Sequence, residues 1–302
     1  MKWIKTGWGK NFASEGAETS SFHMDLSGIK YSNKSIVDTA ISVIQNISQE
    51  YPAPYYLMAS GGVDSQSMIW LWEQSGVPYE VISVKYVHDD VDYNSHDLEN
   101  LDTFSKKYNI PITYKYFDPI NFVENELPIY ATKFHCTSPQ ICTHMKMSEQ
   151  LLDGTVVFSG EFGPHNIYNY TIFGLKRYVD ITKRSLIPFF FLHDAELAGV
   201  VKSYYHNTKG SYFYNRKVAS IHDSGIPVIP QLEKYTGFEK IKDYYDEQAH
   251  RVLLKDRLQH STMPSKRVFD ILFRYNLKKT IKYKDNIVYI IKQPIVTLND
   301  RD

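Results

Sequence analysis

Residues 55 to 65 constrain this chain more than any other stretch. The apolar run Tyr55-Tyr56-Leu57-Met58-Ala59 leads straight into Ser60-Gly61-Gly62-Val63-Asp64-Ser65, and helical character resumes at Ser67-Met68-Ile69-Trp70-Leu71-Trp72. A short apolar run, a glycine pair and an apolar helix in direct succession read as strand, tight turn and helix. Amide groups in such a turn, at the start of a helix, form an anion cradle, because unpaired donors and the helix dipole point the same way. Gly61 and Gly62 let a phosphate approach the backbone, Ser60 and Ser65 add hydroxyls, and Asp64 is placed to orient Mg²⁺ or a donor in the turn. The pattern is neither G-x-x-x-x-G-K-[ST] nor G-x-G-x-x-G, so the two common phosphate loops are excluded here.

The surrounding chain repeats the same alternation. Apolar residues at helical spacing predict a helix over 35–49, ended by Pro52 and Pro54. A second strand is expected over 77–84, a polar loop over 88–97, a helix over 98–108 and a third strand over 112–117. His88-Asp89-Asp90, with Asp92, His96 and Asp97, follows the second strand at the ligand side of the sheet; a Mg²⁺ or substrate-amine contact is one reading of that loop, and a solvated loop with helix N-caps the plainer one. A fourth buried strand, Thr155-Val156-Val157-Phe158, runs into another glycine turn, Ser159-Gly160-Glu161-Phe162-Gly163. Strands alternating with helices predict an α/β fold with a doubly wound, mostly parallel sheet, in which both glycine turns face one cleft beyond the strand ends. Glu161, a carboxylate at the end of a buried strand, is the candidate for substrate or Mg²⁺ contact. Residues before about 33 read as irregular or short-strand material. Beyond about 200 the pattern becomes more helical, with amphipathic stretches at 237–260 and 265–279 and two short strands expected within 281–298. The division expected is an N-terminal segment with a leading helix (1–50), a nucleotide-binding domain (51–200) and a mainly helical substrate-side region (201–302).

Ser60-Gly61-Gly62-Val63-Asp64-Ser65, between strand and helix, resembles the SGGxDS loop of the PP-loop ATP pyrophosphatases. That resemblance implies an adenine nucleotide alpha hydrolase-like, Rossmann-like fold. It also implies a reaction in which a substrate oxygen attacks the α-phosphate of ATP, pyrophosphate leaves, and a nitrogen or sulfur nucleophile attacks the adenylate, with Mg²⁺ as the usual companion. One set of residues looks like the synthetase domain of asparagine synthetase. The 156–163 segment is similar to its second turn, Tyr170 falls near the tyrosine that closes it, and Leu186-Ile187-Pro188-Phe189-Phe190 with Asp194 resembles its R-x-P-F-L-D segment. The Asp-Glu pair expected after that turn is replaced by His165-Asn166, and no Cys follows Met1, so a glutamine-hydrolysing domain is missing and any ammonia or amine comes from elsewhere. A second set, Cys142-Thr143-His144-Met145-Lys146-Met147, is similar to the C-[CT]-x-x-x-K segment of phosphoadenylylsulfate reductases and tRNA thiolation proteins. No Cys follows Cys142, which argues against the reductase chemistry itself.

The resulting candidates are Ser60, Gly61, Gly62, Asp64, Ser65, Lys146 and Gly160 for ATP, Asp64 and Glu161 for Mg²⁺, and Asp64, Glu161 and Lys183 for catalysis. Lys146 enters through the resemblance; Lys183, with Arg184, enters because it directly precedes the expected strand at 187–189. His135, Cys136, Cys142 and His144 lack the spacing of a closed zinc site and read first as reduced, partly buried groups. Lys+Arg and Asp+Glu both number 34, so no global field draws in nucleic acid or an anionic membrane. Tyr204, Tyr205, Tyr212, Phe213 and Tyr214, interleaved with Lys202, Lys209, Arg216 and Lys217, keep nucleic-acid stacking open as a less favoured partner reading. Two cysteines, no apolar run of membrane length and no leader-like start make the cytoplasm the expected compartment. The expected activity is adenylation of a carboxylate or carbonyl oxygen followed by C–N bond formation. The alternatives are base modification or thiolation by the same first step, and a non-catalytic nucleotide sensor.

Overall fold

The computed structural model of the 302-residue chain describes residues 3–8, 11, 21–25, 27–92, 94–134, 136, 139–151, 153–159, 170–207 and 288–292. Gly160, Glu161, Phe162, Gly163, His165, Asn166 and His135 lie outside them, as do the aromatic and basic positions 209–217 and the helices expected at 237–260 and 265–279.

Three strands form a small sheet near the chain start: β1 (Lys5–Trp8) runs antiparallel to β2 (Ser21–Asp25), which pairs in parallel with β9 (Val288–Lys292). Of the two strands expected within 281–298, β9 is the one that falls among the described residues.

The main sheet carries five parallel strands: β3 (Tyr55–Ala59), β4 (Glu80–His88), β6 (Ile112–Phe117), β7 (Thr155–Phe158) and β8 (Ser185–Ile187). Their spatial order is β6-β4-β3-β7-β8, so the chain builds outward from β3 in one direction, then returns to its other side. That is the doubly wound order, with a switch point between β3 and β7, and it is the α/β fold class the sequence predicts.

Alternate strand residues face two helical layers, as a sheet covered on both sides requires. Leu57, Val81, Val157 and Ile187 point into a core built with α1 (Ile36–Glu50), α2 (Val63–Ser75), α3 (Ser95–Tyr108) and α8 (Ala195–Asn207). Met58, Ile82, Val156, Phe158 and Leu186 point the other way. That second layer is made by the short α4 (Pro119–Asn121), a π-helical turn over Phe122–Glu126, α5 (Leu127–Phe134), α6 (Pro139–Glu149) and α7 (Tyr170–Thr182). α1 starts where its N-cap Ser35 accepts a hydrogen bond from the Asp38 N–H at 3.3 Å. Residues 65–72 are all buried, so the middle of α2 is covered on every side and its N-terminal end is held against the sheet.

Two expectations need correction. The second strand starts later and runs longer than 77–84: β3 pairs it from Glu80, β6 pairs it from Val81↔Ile112 up to Tyr86↔Phe117, and β5 (Val91–Asp92) carries it on to His88. The polar loop expected at 88–97 is instead a two-residue hairpin followed by a helix. β5 turns back on β4, with His88 opposite Val91, and α3 starts at Ser95. Asp89 and Asp90 sit at φ 48° and 60°, the left-handed pair of a type I′ turn, a conformation Asp tolerates. Asn94 completes the corner: its side chain accepts from the Tyr86 N–H at 2.9 Å and donates to the Val84 carbonyl at 2.8 Å.

Two desolvated imidazoles give the fold an acid-sensitive element. His193 lies under the Trp3 ring at 4.4 Å with Nε2 3.0 Å from the Tyr51 hydroxyl, and His144 stacks on Phe158 at 4.7 Å. Burial lowers both to about 4, so the folded protein binds fewer protons here than the unfolded chain, whose histidines titrate near 6.5. Their contribution to stability is therefore full above about pH 6.5 and is lost as the pH falls toward 4. Urea midpoints measured across that window should fall for the parent, and a His144→Gln, His193→Gln variant should show a shallower slope. An unchanged slope would mean that the imidazoles stay hydrated in the fold.

Candidate functional site

In an open parallel sheet, ligands gather beyond the carboxyl ends of the strands at the switch point. Ser60 leaves β3 at that point, and Ser159, level with Ala59, leaves β7 beside it.

The turn is built by its own side chains. Gly61 takes φ +86°, which an L side chain rarely adopts, and its peptide is fixed by buried Gln66, whose Nε2 donates to the Gly61 carbonyl at 2.8 Å. The Ser65 hydroxyl donates to the Gly62 carbonyl at 2.9 Å and accepts from the Ser60 N–H at 3.3 Å. The Gly62 N–H reaches the Ser60 hydroxyl at 3.4 Å, a long contact that another acceptor can replace. Below the turn, buried Ser83 on β4 donates to the Ala59 carbonyl at 2.8 Å.

Gly62 is the N-cap of α2 and brings no side-chain acceptor to the first turn. A helix leaves its first N–H groups without intrahelical acceptors, so the start of α2 presents donors and the positive end of a dipole at the switch point. Among the described residues, a Cβ built on Gly62 meets only the Ser60 hydroxyl oxygen, at 3.5 Å, so that part of the fold tolerates a side chain there. Asp64 stands half-buried in the same first turn of α2.

The structure thus brings Ser60, Gly61, Gly62, Asp64 and Ser65 together. It does not bring Lys183 to them. Ser185 pairs with Thr155 and Thr155 with Tyr55, so Lys183 lies about seven residue steps, roughly 23 Å, below Ser60 along the strands. It is an exposed residue at φ 58° where α7 ends, at the amino edge of the sheet. Its neighbour Arg184 ties the end of α6, its guanidinium donating to the carbonyls of Leu151 and Glu149. Lys146, in the third turn of α6, is paired with Glu126 at 2.5 Å and lies over the Tyr130 ring. Cys136 and Cys142 are buried and not joined in a disulfide, with Cys142 Sγ 3.9 Å from the Cys136 carbonyl and its thiol pushed well up, first by its hydrogen bond with Cys136 and then by burial. Among the described residues, no group of three or more His, Cys, Asp or Glu is arranged to hold a metal ion, and no helix is long and apolar enough to cross a membrane.

Two contributors escape a reading of motifs. Gln66 and Ser83 shape the turn from below, and Gln66 is one of several polar residues in the first half of α2 with no motif to mark it. His144, read from the sequence as a reduced, partly buried group, stacks on Phe158 at the end of β7.

No protein-family model matches the chain, and no curated protein matches it either. Among solved structures the chain is similar to the NH3-dependent NAD synthetase of Campylobacter jejuni subsp. jejuni, solved in complex with a nitrate ion. The two are 14% identical with a TM-score of 0.34, over 70% of this chain and 94% of that one. The doubly wound order itself stands on the strand pairings above.

Proposed function

We propose that this chain is an ATP-dependent enzyme of the PP-loop ATP pyrophosphatase class. It transfers AMP to a carboxylate or carbonyl oxygen, releases pyrophosphate, and passes the activated group to a nitrogen nucleophile in the manner of an amide ligase. The observation that carries this reading is the cradle at the switch point: Gly61 in its left-handed conformation, Gly62 with room for a Cβ among the described residues, and the first turn of α2 behind them.

In this reading the amides of the turn and the hydroxyls of Ser60 and Ser65 hold the β- and γ-phosphates. As the bond to the α-phosphate breaks, negative charge accumulates on the departing pyrophosphate, and donors already oriented by Gln66 and Ser83 stabilise it without reorganising. Mg²⁺ held there would neutralise part of that charge. Asp64 would hold the ion, with Glu161 as the second carboxylate from the chain that follows β7, where Gly160 would also approach the nucleotide. Lys146 would have to leave Glu126 to reach a phosphate. The acceptor is a small molecule or nucleotide, its ammonia or amine donor is separate, and the nucleotide half of the protein corresponds to 51–200 with acceptor binding in 201–302.

Product identity tests the reading. Incubated with Mg²⁺, α-labelled ATP and a fractionated pool of cellular metabolites, the protein should form AMP and pyrophosphate in equal amounts in at least one fraction. ADP and phosphate as products would sink the proposal. ATP binding without turnover in any fraction would identify a nucleotide sensor instead.

A further inference from the structure

β4 and β6 climb past the glycine turn. Ser83 is level with Ala59, so Val84 is level with Ser60, and His88 stands four residues further on, about 13 Å along the strand. The β4–β6 ladder runs to Tyr86↔Phe117, which brings Asp118 alongside the end of β4. The two strands thus form a wall on one side of the cradle, and the upper corner of the wall carries an imidazole and a carboxylate. His88 Nδ1 lies 3.0 and 3.1 Å from the two Asp118 oxygens. Asp118 is itself fixed, since it caps α4 by accepting from the Asn121 N–H at 2.9 Å. Both residues end parallel strands at the ligand edge of the sheet, and the His88 side chain is only 23% exposed.

A backbone-anchored carboxylate on Nδ1 holds the ring in one orientation and favours the proton on Nδ1, leaving the Nε2 lone pair to accept another; the carboxylate then stabilises the imidazolium that forms. Nε2 lies 3.2 Å from an oxygen of Asp89, whose side chain is 83% exposed on the hairpin tip, where water screens its charge.

A nitrogen nucleophile that attacks an adenylated carboxyl must shed a proton. We propose that His88 is the proton acceptor of this second half-reaction and that Asp118 is its positioning residue, an inference that rests on the adenylation reading above. The nitrogen lone pair forms the C–N bond, the C–O bond to AMP breaks with its electron pair on the departing phosphate oxygen, and the N–H proton passes to Nε2. The nitrogen donor is accordingly a neutral amine or ammonia presented from the β4–β6 side of the nucleotide. The rival is a purely structural clamp, an imidazolium held between Asp118 and Asp89 that pins the hairpin.

Nitrogen NMR of the full-length protein labelled at histidine separates the two, with a His88→Gln variant assigning the signal and α,β-methylene-ATP plus Mg²⁺ as the probe. At about pH 7.5, His88 should carry its proton on Nδ1 alone. Asp118→Ser, which keeps a capping hydroxyl but is too short to hold the ring, should convert that signal to a mixture of tautomers. Saturating nucleotide should shift it. An imidazolium at that pH, a tautomer indifferent to Asp118→Ser, or a His88 signal unmoved when calorimetry shows the nucleotide bound would each overturn the inference and leave the adenylation reading standing. Failure of the nucleotide to bind at all would remove the adenylation reading, and this inference with it.

Discussion

Gly62→Val should abolish formation of AMP and pyrophosphate while the protein stays folded. The backbone at 62 is extended, φ −73° and ψ 162°, so valine meets no conformational barrier, and among the described residues its Cβ reaches only the Ser60 hydroxyl at 3.5 Å. Valine is a poorer N-cap than glycine, a loss of about 1 kcal/mol, which moves the thermal midpoint of a chain this size by roughly 2–4 °C. The methyl groups, however, fill the space from which a phosphate would approach the amides. Gly61→Val fails for a different reason: φ +86° costs a branched residue about 1–2 kcal/mol, and relieving it rotates the peptide that Gln66 holds. Asp64→Ala tests the remaining element, and its turnover should fall with Gly62→Val. Measured by labelled AMP release beside a melting curve, the three variants separate fold from function. A Gly62→Val protein that turns ATP over like its parent would show that nothing is bound against residue 62.

The elements were legible where local pattern decides them. Residues 55–59, 112–117 and 155–158 are apolar runs bounded by breakers, and each is a strand within those bounds. Strand order was not legible, because it depends on pairings between residues a hundred positions apart, such as Tyr55 with Thr155. Yet the order creates the switch point, so the sequence showed the cradle without showing why it stands where it does. Lys183 illustrates the cost of reading proximity along the chain. A residue that precedes a parallel strand enters the sheet at its amino edge, whereas one that follows a strand leaves at the ligand edge, and Lys183 precedes β8 while Ser60 follows β3. The prediction of a parallel sheet already contained that distinction. His88 and Asp118 are a mixed case: the sequence placed His88 at the ligand side of the sheet, but nothing marked Asp118, thirty residues on, and the two meet because one ends β4 and the other directly follows β6.

A large effect on stability should come from a residue outside the cradle. A Cβ on Gly199 would lie 1.9 Å from the Lys30 carbonyl oxygen and 3.0 Å from its carbon, so α8 and the segment before α1 approach backbone to backbone. Neither side can yield easily. The Ser203 hydroxyl donates to the Gly199 carbonyl at 2.9 Å and accepts from the Ser32 N–H at 2.8 Å, and Leu197, Val200 and Val201 are buried against Ile36, Ala40 and Ile44. Alanine at an ordinary helix interior gains about 1 kcal/mol over glycine, but overpacking against an immobile backbone costs about 1–3 kcal/mol and sometimes more, so the sign is set by the clash. Gly199→Ala should therefore destabilise the fold, and Gly199→Val should do so by more than about 2 kcal/mol in urea titrations. Gly76→Ala is the matching control, since that glycine sits at φ +71° with nothing within 4 Å of the added Cβ and loses only its conformational freedom, about 1 kcal/mol. Should Gly199→Val melt at the parent's midpoint, α8 would not rest on the 29–32 segment, and the packing that closes this side of the sheet would have to be drawn again.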